Sequence, residues 1–123
     1  MDDVQQIIAK LHITKKYGGY YYSIMGIRIL LDNPDRRLRI TKDMYPPIAA
    51  KYGTTDSNVA HGITTVVQKA LNDNRSLLEE MAGYTIEKDD KMTNMEFLSI
   101  VADYIERSRK LRKSEEEAKT KGS

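Results

Sequence analysis

The sequence contains no cysteine and only two histidines, His12 and His61. A disulfide framework, a thiolate zinc site and a cysteine nucleophile are therefore excluded, and the lack of thiols suits a reducing cytosol. Long apolar runs are also missing. The most hydrophobic stretch, 24–31, contains Arg28 and is far shorter than the roughly 20 residues of a membrane span. The chain opens Met-Asp-Asp, acidic where a secretory leader is basic. A cytoplasmic protein without a membrane segment is the expectation. No segment alternates apolar and polar residues convincingly at period two, and no internal repeat occurs, so an all-α domain of about six helices is predicted.

Catalytic constellations are equally scarce. There is no His-Glu-x-x-His or calcium-loop spacing, so no metal is expected. Glu79-Glu80 and Asp89-Asp90 are adjacent acids that point different ways on a helix, which does not make an acid/base pair. Gly18-Gly19 lacks the rest of a phosphate loop and reads as a turn. His12 lies at the end of the first predicted helix, where an imidazolium favours the helix dipole. Neither an enzyme nor a cofactor is indicated.

What is present fits one soluble core: 123 residues, 40% hydrophobic and 31% charged. The formal net charge is only +2. Its distribution is uneven, because from Lys10 to Lys42 eight basic residues face two acids (+6), whereas from Ser76 to Arg107 eight acids face three bases (−5). A basic first third suits an anionic partner.

Helical spacing runs through the chain. Val4, Ile7, Ile8 and Leu11 predict a helix over about 3–12, and Tyr21, Ile24, Ile27, Leu30 and Leu31 another over 20–32 that stops at Asn33-Pro34. The tyrosines at 20–22 read as core-packing bodies with wet hydroxyls. Asp35-Arg36-Arg37-Leu38-Arg39 is either a phosphate-contacting connector or a solvated loop. Thr41 is the expected cap of the next helix, which either kinks at Pro46-Pro47 or starts there after a single leading turn, and Gly53 ends it.

The stretch 54–71 then gives an amphipathic helix. Val59, Ile63, Val66, Val67, Ala70 and Leu71 form its buried side, with Asn58, His61, Thr64, Thr65 and Gln68 opposite. A short helix, a glycine turn and a capped helix with small hydrogen-bonding groups on its free face is the pattern of a helix-turn-helix DNA reader. The expected base readers are Asn58, His61, Thr64, Thr65 and Gln68. Thr54, Thr55 and Ser57 at the helix start, with Lys42, Arg36, Arg37, Arg39 and Lys69, are the expected phosphate contacts. Gly62 in mid-helix implies close approach by another helix or by a DNA backbone.

Asn72-Asp73-Asn74 is expected to end that helix, with a short one over 76–82 closed by Gly83 and a charged loop over 84–92. Thr93-Asn94-Met95-Glu96 is a capping box that opens the last helix, with Phe97, Ile100, Val101, Tyr104, Ile105 and Leu111 as its stripe. The domain is expected to occupy 1–111, leaving 112–123 as a charged, disordered tail.

Taken together, the blocks Ile-Thr-Lys-Asp-Met-Tyr-Pro-Pro-Ile-Ala-Ala-Lys-Tyr-Gly-Thr-Thr at 40–55, Gly-Tyr-Thr at 83–85, Thr-Asn-Met-Glu-Phe at 93–97 and Val-Ala-Asp at 101–103 carry a resemblance. The chain resembles, over about residues 4–109, the C-terminal DNA-binding domain of the stage-zero sporulation master regulator of endospore-forming Firmicutes. The resemblance implies a six-helix effector domain that binds double-stranded DNA as a homodimer or head-to-tail pair and touches the RNA polymerase sigma subunit. In that family a phosphorylatable receiver is attached. None precedes the domain in this sequence, so control through expression level or a partner is expected.

The resemblance also exposes a departure. The family's reading helix typically carries Arg-Val-Glu-Arg-Ala-Ile-Arg, where this chain has Asn58-Val59-Ala60-His61-Gly62-Ile63-Thr64. The apolar positions persist and the charged ones do not. An arginine paired with guanine contributes ~1–3 kcal/mol of discrimination per base, so the family's operator preference should be lost. Either another sequence is read, or the fold serves as a protein-interaction module or antagonist without operator-specific reading.

Overall fold

Residues 1–121 are described by the computed structural model, and among them every regular element is helical. Helix α1 (Asp3–Lys10) starts from a reciprocal cap, in which Asp2 accepts from the Gln5 amide and the Gln5 side chain accepts from the Asp2 amide. It ends two residues earlier than its periodicity predicts, because His12 takes a left-handed conformation (φ 63°) and turns the chain. Leu11 and Ile13, on either side of that turn, are both buried.

Helix α2 (Gly19–Leu31) packs on α1, on the fourth helix and on the last. A π-helical turn (Ile40–Met44) follows and leads directly into α3 (Tyr45–Tyr52). Thr41 is not a cap, contrary to the sequence expectation. Pro46 and Pro47 have no N–H to offer the carbonyls four residues back, and the Tyr45 amide instead reaches Ile40 O, widening the turn. The prolines thus occupy the first turn of α3, where a missing donor costs little.

Gly53 (φ 61°) stops α3 in the left-handed region, and the Thr54 amide closes the turn on Ala49 O at 3.0 Å. Helix α4 (Asp56–Ala82) then starts at Thr55, whose hydroxyl accepts from the Asn58 amide at 3.1 Å. The expected break at 72–74 is a bend within one element. Asn74 alone leaves helical geometry, and its side-chain amide donates to Lys10 O at 2.9 Å, a tertiary bond that holds the bend. The described residues therefore hold five α-helices and a π-turn, with the separate helix predicted over 76–82 being the end of α4.

The segment after Gly83 is more than a charged loop. Ile86 is buried, its amide donates to Glu79 at 2.6 Å, and Arg75 donates to the Ile86 and Glu87 carbonyls. Helix α5 (Asn94–Lys121) opens with the predicted capping box: the Glu96 amide donates to the Thr93 hydroxyl, and the Thr93 amide to Glu96. Phe97, Leu98, Val101 and Ala102 are fully buried, while Leu111, expected inward, is 64% exposed. The helix runs to Lys121, with every residue from Arg109 to Thr120 exposed, and the last two residues of the tail expected over 112–123 lie outside the described residues. Lysine, arginine, glutamate and alanine favour helix without needing a core, which accounts for the extension.

One cluster of buried side chains spans all five helices. At its closest point α2 crosses α4 through two glycines. A Cβ on Gly19 would stand 2.0 Å from Gly62 O, and one on Gly62 would stand 3.0 Å from the Tyr22 ring. Helix approach is thus the reason for the glycine in mid-α4, and Gly19 belongs to that contact as well as to the turn before it.

Candidate nucleic-acid interface

The exposed side of α4 follows from its sequence spacing. Val59, Ile63, Val66, Val67 and Ala70 are buried, and Asn58, His61, Thr64, Thr65 and Gln68 are all exposed. The five expected readers therefore share one free face, but their hydrogen-bonding ends differ. Asn58 donates one side-chain N–H to Thr54 Oγ1 at 3.0 Å and keeps its second N–H and its carbonyl oxygen. Thr65 donates to His61 O at 3.1 Å. Thr64 lies 3.0 Å from Ala60 O and 3.1 Å from Asn94 Oδ1, so its single proton has an internal acceptor either way. The two threonines keep methyl groups and acceptor lone pairs. His61 and Gln68 have no side-chain partner among the described residues and present both donors and acceptors.

Asn94, the first residue of α5, sets the position of this face and was not singled out by sequence. Its amide donates to Tyr45 Oη at 2.9 Å and to Ala60 O at 3.0 Å, joining α5 to α3 and α4 at one point. Only its place inside a capping box marks it in the sequence, and nothing there indicates partners 34 and 49 residues away.

The expected phosphate contacts divide. Thr55, Ser57, Lys42, Arg37 and Arg39 are exposed, and Thr54 is half-buried beside Asn58. Asp56 stands exposed in the first turn of α4, where its carboxylate already complements the helix dipole. Arg36 does not belong with the others. Its guanidinium meets Asp103 at 3.0 Å and Glu106 at 2.6 Å, donates to Asn33 O at 3.1 Å and contacts Leu30 O. With the backbone at φ 57°, the side chain folds inward and ties the α2–α3 connection to α5. Four internal acceptors leave it none of the fork that a phosphate would need.

Lys69 is also engaged. It forms an ion pair with Asp73 one turn on, and its ammonium stands 5.6 Å from the centre of the Tyr17 ring. The Asp73 carboxylate first, and the Tyr17 hydroxyl second, hold this lysine above the ordinary lysine pKa. Lys16 lies 5.7 Å from the same ring. Tyr21, Tyr22 and Tyr52 make a further aromatic group beside the α3–α4 turn, with ring centres 5.5–6.1 Å apart. Of the tyrosines at 20–22, Tyr20 is buried as predicted and Tyr21 is 45% exposed.

Comparison with known families gives this arrangement its context. Residues 4–105 match the family described as sporulation initiation factor Spo0A C terminal. The chain belongs to that family. It is a family of DNA-binding domains of sporulation and transcription regulators, not of enzymes, in agreement with the sparse catalytic chemistry of the sequence. Among the described residues, no helix is long and apolar enough to cross a membrane.

Proposed function

We propose that this chain is a sequence-specific transcription regulator in which α3, the Gly53 turn and α4 form a helix-turn-helix, with α4 entering the major groove. The observation that carries the reading is the free face of α4. It is uncharged, exposed along three turns, and fixed in position by the Gly53 turn at one end and by Asn94 beneath. His61 and Gln68 are the principal base readers, since their side chains carry no internal hydrogen bond among the described residues and keep their full donor and acceptor capacity. Gln68 can pair with adenine N6 and N7. Asn58 accepts through its carbonyl, and the Thr64 and Thr65 methyl groups suit contact with thymine methyls.

Thr54, Thr55 and Ser57 at the start of α4, with Lys42, Arg37 and Arg39, supply phosphate contacts that orient the domain without reading sequence. The family's arginine code is replaced by neutral groups, so the operator differs from the one the family commonly reads. Head-to-tail pairing on repeated boxes and contact with the RNA polymerase sigma subunit follow from the resemblance as further parts of this proposal.

Selection of bound duplexes from a random pool at fixed near-physiological salt tests the reading. The full chain should enrich a defined motif. His61→Ala should relax the preference at one position, by about 1–3 kcal/mol if that contact is direct. An unenriched pool would favour the protein-interaction or antagonist role instead.

A further inference from the structure

Resting on the DNA-binding reading above, we propose that Lys16 and Tyr17, on the loop before α2, join Lys69 of α4 to form a second contact for the phosphates of duplex DNA, with Asp73 acting as its built-in competitor. The two ammonium groups converge on one ring, at 5.7 Å for Lys16 and 5.6 Å for Lys69. They come from positions 53 residues apart, counting from 16 to 69. The ring attracts two cations to one place although like charges repel.

The loop that carries this ring is tied down at both ends. Before it, Leu11 and Ile13 are buried and Lys10 O accepts from Asn74 at the bend of α4. After it, Gly19 is seated against Gly62 of the same helix. Within it, the Tyr17 amide donates to Thr14 O at 3.1 Å, and the Tyr20 amide to Tyr17 O at 3.0 Å. The patch is therefore part of the wall of α4 and keeps a fixed offset from the reading face.

That offset is long enough to span a groove. Gln68 on the reading face is next in sequence to Lys69, which turns toward Tyr17. From Thr55 to Lys69 the helix advances roughly 21 Å at 1.5 Å per residue, against a major groove about 12 Å wide. A helix whose first turn meets the phosphates of one strand is thus long enough to carry Lys69 beyond the groove to phosphates on its far side. Lys16 and its exposed neighbour Lys15 have no carboxylate within ion-pair distance among the described residues, whereas Lys69 is held by Asp73. Phosphate must displace Asp73 to engage Lys69 fully. Removing that carboxylate should strengthen the contact and leave the reading face unchanged.

The test is fluorescence anisotropy of the full chain with a labelled mixed-sequence duplex across a salt titration. Lys16→Ala should lower the slope of log affinity against log salt by about one, and Asp73→Asn should raise it by about one. Binding should weaken several-fold in the first variant and tighten several-fold in the second, on mixed-sequence and selected duplexes alike. Tyr17→Phe, which keeps the ring, should keep the wild-type slope. If the wild type binds with a clear salt slope and both charge variants match it, the patch is overturned and the reading of α4 stands. If the wild type binds no duplex at any salt, both fall. Should Lys16→Ala lose its thermal transition, Asp73→Asn alone decides, since it changes one exposed side chain by a single charge.

Discussion

Arg36 and Arg37 are neighbours in the chain with opposite surroundings. Arg36 is held among Asp103, Glu106 and two carbonyls, and Arg37 is exposed. The same division separates two regions of the molecule. Where α1, α2 and α5 meet, the arginines are engaged internally: Arg28 with Asp2, Arg36 with α5, and Arg109 and Arg112 with Asp3. In the loops before α2 and before the π-turn, and in that turn, Lys15, Lys16, Arg37, Arg39 and Lys42 have no carboxylate partner among the described residues. Positive charge that is already paired stabilises the fold. Positive charge left unpaired is available to a polyanion and adds to affinity through counterion release.

The largest effect should come where the two regions join. Gly19→Ala would put a Cβ 2.0 Å from a backbone oxygen of α4, which no side-chain rotation relieves, so the two helices must separate. A loss of about 3 kcal/mol or more is expected in denaturant unfolding, at the upper end for overpacking. Gly53→Ala should cost only about 1 kcal/mol, since its Cβ meets nothing and the cost arises from the left-handed backbone alone. A reversed order would show that the α2–α4 crossing does not determine the position of α4.

The comparison between the two arginines is the next test. Arg36→Ala should lower stability by about 2 kcal/mol, because it leaves Asp103 and Glu106 facing each other without their cation. Arg37→Ala should stay within about 0.5 kcal/mol of wild type while lowering the salt slope of DNA binding by about one. Equal stability losses for the two would erase the distinction between paired and unpaired charge.

A smaller effect than that of Arg36→Ala concerns pH. Arg109, hydrogen-bonded to Asp3 through two nitrogens, holds that carboxyl below the ordinary aspartate range, with desolvation opposing and Arg112 assisting. A depressed pKa makes the contribution fully present above the unfolded value of about 4 and lost as pH falls through the lower folded value. Both arginines are largely exposed, so only about 1 kcal/mol is expected. Thermal melts of wild type and Asp3→Asn should differ at neutral pH and converge in acid below the aspartate range. DNA binding at neutral pH should be unaffected by the substitution.

Features set by local spacing were legible in the sequence. The buried side of α4 and the capping box at Thr93 depend on residues within a few turns, where periodicity and backbone chemistry decide; the glycine at 62 marks a close approach, but its partners Gly19 and Tyr22 lie on α2. Features set by tertiary partners were not. The bend of α4 needs Asn74 to reach Lys10 O, and the burial of Ile86 needs Arg75 and Glu79 beneath it. The π-turn follows from the missing donors of Pro46 and Pro47, which indicate a disturbance without specifying its geometry. In the candidate interface, spacing found the exposed face correctly. It could not show that Thr64 and Thr65 direct their protons inward or that Arg36 is enclosed by α5.

The central claim is that the uncharged face of α4 distinguishes one DNA sequence from another. Its most direct test is the ratio of affinities for the selected duplex and a scrambled one of the same composition, at fixed salt, for wild type and a His61→Ala/Gln68→Ala variant with an unchanged melting temperature. A specific regulator should show a ratio of about 10³ or more that falls at least tenfold in the variant, while affinity for the scrambled duplex holds. A wild-type ratio near one, or a ratio the double substitution leaves intact, would contradict the account.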